Sequence, residues 1–203
     1  MKKIHLPLVF LFLAASVSVV SASEPNAVRT RLLHETAIQG HSCDRGDAWF
    51  YPDGSLNQCT LARPSTFGDL RVPRGSVIEL WPEGATHRLT LSREAVFAGY
   101  RLRGGHGFGR ARASTADFYR NGEPRSFSLV RDQLVQGVPC RGGSWNTLTD
   151  PTGTGNLVVL YDDGKLQSCK LTRDYGGLRA GQRIALPRLT PASETAKSLP
   201  AAQ

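Results

Sequence analysis

One short pattern recurs four times along the chain, and such a repeat restricts the fold to an array of like units. The copies are FYPDGSLNQCTLAR (Phe50–Arg63), LWPEGATHRLTLSR (Leu80–Arg93), FYRNGEPRSFSLVR (Phe118–Arg131) and LYDDGKLQSCKLTR (Leu160–Arg173). Each carries an aromatic residue, Tyr51, Trp81, Tyr119 or Tyr161. Two positions on comes Asp53, Glu83, Asn121 or Asp163, followed at once by Gly54, Gly84, Gly122 or Gly164. A leucine stands seven residues past the glycine (Leu61, Leu91, Leu129, Leu171), and an arginine two beyond it (Arg63, Arg93, Arg131, Arg173).

The physics of the unit is that of a β-hairpin. Asp-Gly or Asn-Gly between apolar runs supplies the positive φ angles that tight hairpin turns demand. After the turn, Cys59 and Leu61 alternate with Gln58 and Thr60, and the other copies keep the alternation. A period of two buries one face and wets the other, so the expected fold class is all-β: tandem antiparallel hairpins in a meandering sheet. A second half-unit follows each hairpin: LRVPRG (Leu70–Gly75), YRLRGG (Tyr100–Gly105), VPCRGG (Val138–Gly143) and, more loosely, GLRAGQ (Gly177–Gln182). HSCDRG (His41–Gly46) precedes the first hairpin. The array thus opens with a second half-unit and closes with a first strand at Arg183–Leu186. Such a phase suits an open sheet, or one closed into a barrel-like array whose termini share a split repeat.

The four cysteines fall in two columns of this register, Cys43 with Cys140 and Cys59 with Cys169. The pairing that respects the repeat is Cys43–Cys59 and Cys140–Cys169. At the other two junctions the same columns hold Val72 with Leu89 and Leu102 with Phe127, apolar pairs suited to neighbouring inward-facing positions. No further ligand type recurs at fixed spacing, so neither a metal nor a cofactor is expected.

Disulfides imply export, and the N-terminus agrees. Lys2 and Lys3 precede the apolar run Leu6–Ala15, and Val20-Ser21-Ala22 offers small residues for cleavage before Ser23. Residues 1–22 therefore read as a signal peptide, 23–189 as one repeat domain, and 190–203, rich in Ala, Ser and Pro, as a disordered tail. Ser16, Ser18 and Ser21 interrupt the apolar run too early for a spanning helix, so an integral membrane protein is not expected. The leader holds two of the 25 basic residues and none of the 17 acidic ones, so the remainder stays basic. That balance favours acidic partners.

The aromatic–x–[Asp/Asn]–Gly core, iterated as hairpins over residues 50–173, resembles MORN-type repeats, particularly bacterial variants. Units here begin 30, 38 and 42 residues apart, longer than MORN units, with a cysteine column added. The resemblance implies a scaffold that binds proteins or lipids, and it carries over no catalytic residue.

Two columns are candidates for contact with a partner. Arg63, Arg93, Arg131 and Arg173 fall on the core side or at the strand's end, where pairing with Glu94, Asp132, Asp174 or backbone carbonyls is the first reading. A guanidinium ladder facing an anionic partner is the second. Tyr51, Trp81, Tyr119 and Tyr161 suit cross-strand packing first and a stacking strip for glycan or peptide second.

Two inserted stretches, Arg101–Arg112 (RLRGGHGFGRAR) and Asp150–Gly155 (DPTGTG), read as solvated loops; neither fits a nucleotide-binding loop. His34, His41, His87 and His106 form no HExxH motif and do not recur in register with a nucleophile. The expected function is an exported, non-enzymatic binding or scaffold protein of the bacterial envelope, periplasmic or secreted. Its partner would be a protein or an anionic envelope component rather than nucleic acid. The alternative is an envelope-acting hydrolase using carboxylates gathered in a cleft.

Overall fold

A computed structural model describes residues 27–105, 114–143 and 156–188. The expected leader 1–22, residues 106–112, the DPTGTG stretch and the expected tail 190–203 lie outside them. The stretch read as a solvated loop from Arg101 in fact begins in a strand, with Leu102 buried.

Among the described residues there are strands and no helix. The chain opens with β1 (Val28–Leu32) and a short pair, β2 (Thr36–Ile38) and β3 (His41–Cys43). The first repeat hairpin is β4 (Gly46–Phe50) with β5 (Leu56–Thr60), followed by the short pair β6 (Ser65–Phe67) and β7 (Leu70–Val72). Hairpin β8 (Val77–Leu80) and β9 (Thr86–Leu91) leads to the short pair β10 (Ala95–Phe97) and β11 (Tyr100–Leu102). Hairpin β12 (Ser114–Phe118) and β13 (Pro124–Ser128) leads to β14 (Gln133–Val135) and β15 (Val138–Cys140). The last hairpin, β16 (Leu157–Leu160) and β17 (Leu166–Lys170), is followed by β18 (Arg183–Ala185).

The long strands form one ten-stranded antiparallel sheet in the order β1-β4-β5-β8-β9-β12-β13-β16-β17-β18. Its two ends do not pair, so the array is open and not a barrel. Arginines stand on both outer strands, Arg29 and Arg31 on β1 and Arg183 on β18, the kind of residue that blunts a sheet edge.

The repeat turns are of one kind. Gly54, Gly84, Gly122 and Gly164 have φ of 84°, 83°, 84° and 77°, whereas the acid or amide before each stays at negative φ. Each glycine N–H donates to the carbonyl of the repeat aromatic three residues back, at 2.8–3.0 Å. The register slips by one residue just before the turn in all four hairpins. These are three-residue loops with a glycine bulge, not two-residue turns with positive φ at both centres. The Asp or Asn earns its place differently. Asp53, Asn121 and Asp163 accept the N–H of Ser55, Glu123 and Lys165 at 2.8, 3.1 and 3.0 Å.

Gly177–Gln182 forms no strand and holds only an isolated bridge from Leu178 to Tyr175, whereas the other four half-units contain the second strands of the short pairs, β3, β7, β11 and β15. These pairs line up across one face of the sheet and close the core. Ala48, Ile78, Leu89, Ala116, Phe127, Val158 and Cys169 point from the sheet into the interior, where Phe67, Leu70, Val72, Leu102, Val135 and Val138 meet them. Tyr100 stacks on Phe127 with ring centroids 6.0 Å apart. Both expected disulfides are present and tie short pairs to the sheet, Cys43–Cys59 and Cys140–Cys169. The apolar columns at the middle junctions, Val72, Leu89, Leu102 and Phe127, are all buried. The opposite face of the sheet carries the polar half of the alternation.

Candidate functional site

The four column arginines occupy one structural position. Each lies in the bend where the second strand of a hairpin gives way to the next short pair, and each is exposed. The preceding leucine is buried, and its carbonyl accepts the N–H of a returning glycine. The pairs are Gly75 to Leu61 at 2.8 Å, and Gly105 to Leu91, Gly143 to Leu129 and Gly181 to Leu171 at 2.9 Å. The column therefore sits at the strand's end, on a backbone fastened the same way four times.

The acids beside the arginines are mostly engaged elsewhere. Asp132 accepts the Gly142 N–H at 2.9 Å, and Asp174 accepts that of Ala180 at 2.8 Å. Glu94 pairs with Arg101 at 2.8 Å. Glu35, which holds the equivalent place in the first unit, accepts the Ser42 hydroxyl at 2.6 Å and pairs with Arg63 at 2.7 Å. The hydroxyl, and then Arg63, hold this carboxyl below its ordinary range. Arg93, Arg131 and Arg173 have no ion pair among the described residues. Their charge faces solvent.

Column matching alone missed part of this rim. Arg45, Arg74, Arg141 and Arg179 are also exposed on the bends between short pairs and long strands. Their signal was present, since every half-unit contains an arginine. Two shallow grooves open along the row at repeat-equivalent places. One, about 590 Å³, is lined by Glu35, His41, Ser42 and Arg63 among others, and the second, about 320 Å³, by Asp132, Gln133, Pro139 and Arg173 among others. His41 stacks on Phe67 at 5.3 Å, and burial lowers its pKa.

The aromatic column stands at the other end of the strands and is occupied with the fold. Tyr51, Tyr119 and Tyr161 donate their hydroxyls to the carbonyls of Leu80, Leu160 and Leu186 at 2.8, 2.9 and 2.8 Å. Leu80 and Leu160 end the first strands of the next hairpins and Leu186 directly follows β18, so each tyrosine clasps its own hairpin to the strand that comes next in the sheet. Guanidinium groups sit over Trp81 (Arg120, 4.7 Å), Tyr119 (Arg125, 5.8 Å) and Tyr161 (Arg188, 5.5 Å). Charges at this end are paired across the turns, Glu83 with Arg120 at 3.3 Å and Asp162 with Arg188.

Trp81 breaks the series. Its ring lies 3.9 Å from His87, and its buried indole N–H has no hydrogen-bond partner. By equivalence the missing acceptor is the carbonyl of Phe118. Trp81→Tyr is expected to restore the clasp and remove the orphan donor, raising stability by about 1 kcal/mol in urea unfolding. A lower midpoint would show that the stack on His87 and Arg120 outweighs the hydrogen bond.

The carboxylates nearest to the alternative, hydrolytic reading are Glu79 and Asp117 on the polar face. Arg88 donates to Asp117 at 2.6 Å and forms a looser ion pair with Glu79 at 3.9 Å, and the Ser126 hydroxyl donates to Asp117 at 2.8 Å. They are charge partners of one guanidinium on an open layer of strands. Among the described residues no group of His, Cys, Asp and Glu is placed to hold a metal ion, and no helix is long and apolar enough to cross a membrane. No family model, curated protein or solved structure matches this chain.

Proposed function

We propose that the protein is an exported, non-enzymatic binding or scaffold protein of the bacterial envelope that holds an anionic component on its arginine rim. The observation that carries this reading is the state of Arg93, Arg131 and Arg173. They are repeat-equivalent and exposed, and the acids beside Arg131 and Arg173 accept backbone N–H groups while Glu94 pairs with Arg101. Planar guanidinium groups fixed on a rigid sheet end suit carboxylate or phosphate capture. Two disulfides are consistent with an oxidising, extracytoplasmic environment, in keeping with a periplasmic or secreted location. The MORN-like hairpin core supports the scaffold part of the reading.

The test is co-sedimentation of the oxidised protein with isolated bacterial cell envelopes over a salt series. Retention is expected at low salt and release as salt rises. The triple variant Arg93→Glu/Arg131→Glu/Arg173→Glu should bind about tenfold more weakly while keeping its circular-dichroism spectrum. Equal retention of the variant would remove the rim from the reading.

A further inference from the structure

We infer that the anionic partner is a linear acidic polysaccharide lying along the rim, with its carboxylates read at the spacing of the hairpins. This deepens the function proposed above and rests on it. Successive column arginines follow β5, β9, β13 and β17, which lie two strands apart in one continuous sheet. At about 4.8 Å per strand, the guanidinium anchors recur roughly every 9.6 Å.

Strand pairing preserves this pitch where the chain between units lengthens. Thr115 of β12 pairs with Thr90 of β9, and Phe127 of β13 with Val158 of β16, just as Cys59 of β5 pairs with Ile78 of β8. The pitch is close to the length of a disaccharide. A polymer with one uronic acid in every disaccharide would thus meet Arg93, Arg131 and Arg173 in turn, while Arg63 at the end of the row is held by Glu35.

The surroundings favour sugar over nucleic acid. Single-stranded nucleic acids are held by basic grooves interleaved with aromatic platforms on which bases stack. Here the repeat aromatics stand at the opposite end of the strands, with three hydroxyls bonded to backbone. The outermost column arginines, Arg63 and Arg173, instead line shallow grooves of mixed character, with Glu35, His41 and Ser42 beside the first and Asp132, Leu134 and Pro139 beside the second.

The experiment measures binding of the oxidised protein to oligosaccharides in which uronic acid and neutral sugar alternate, in lengths from one disaccharide upward. Affinity should tighten about two- to threefold with each added disaccharide, as expected for exposed ion pairs, and level off once the oligomer spans the column. Arg131→Glu should abolish the gain across the middle of the series and leave the circular-dichroism spectrum unchanged. Polyuronate of equal total charge but closer spacing, and single-stranded DNA, should bind more weakly and without the plateau.

Tighter binding of DNA, or affinity that follows total charge alone, would overturn the inference. If the triple rim variant still loses envelope retention, the proposed function survives that failure. If retention is also unchanged, both fall.

Discussion

Reduction of both disulfides is expected to cost the domain about 6.5 kcal/mol, a large share of the stability of an ordinary domain. Cys43–Cys59 closes a separation of 16 residues and Cys140–Cys169 one of 29. By loop entropy these are worth about 3 and about 3.5 kcal/mol, against a total of about 5–15 kcal/mol for an ordinary domain. The bridges matter because of where they lie. Each fastens a three-residue strand, too short to hold by its own ladder, onto the sheet in the first and last complete units. The middle units fasten theirs with Val72 and Leu89 or Leu102 and Phe127, all buried. Urea unfolding followed by circular dichroism, with and without reductant, checks this. An unchanged midpoint would mean that the end units hold by packing alone, as the middle ones do.

Gly142→Ala is expected to destabilise the fold by about 3 kcal/mol, the upper part of the range for overpacking. A Cβ at Gly142 would lie 2.1 Å from the Arg131 carbonyl carbon and 2.6 Å from its Cα; at Gly104 it would lie 1.9 Å from the Arg93 oxygen. Backbone on both sides cannot yield as a side-chain tip would. The returning strand is pressed against the bend that carries the column arginine, so the substitution should also displace the rim. Gly54→Ala is the contrast. Nothing stands within 4 Å of its Cβ, but its φ is +84°, so the substitution adds only left-handed strain, about 1 kcal/mol. Comparable midpoints for the two variants would show that the close approach is not what fixes the bend.

The hairpins and both disulfides were legible because they depend on period and register, which repetition prints several times over. The short pairs were half legible. Their second strands coincide with the half-units, but three residues are too few for alternation to register, and β2, β6, β10 and β14 left no pattern of their own. Their turns hid as well. Gln39, Ala98 and Gln136 adopt φ of 49°, 47° and 51° before a glycine, a conformation few side chains advertise. Gln39 and Gln136 then accept the N–H of Leu56 and Leu166 at 3.0 and 2.9 Å, contacts 17 and 30 residues away in sequence. The rim was visible as a column of arginines, yet the choice between structural pairing and outward charge was not. That choice turned on Asp132 and Asp174 taking backbone N–H groups in place of guanidinium groups.

The phase of the repeat also governs what one molecule can do to the next. β18 holds a first-strand place and β1 a second-strand place, so the tail of one copy and the head of another are two halves of a single ribbon. Complementary ends of that sort are how open fibres grow. In the register of the interior hairpins, Ile184 would face Thr30, an acceptable match, but Arg183 would face Arg31. Two guanidinium groups set directly across a strand pair repel. Head-to-tail stacking in that register would therefore set like charges against each other, with Arg183 already bonded to Leu157 and Ser168 of its own chain.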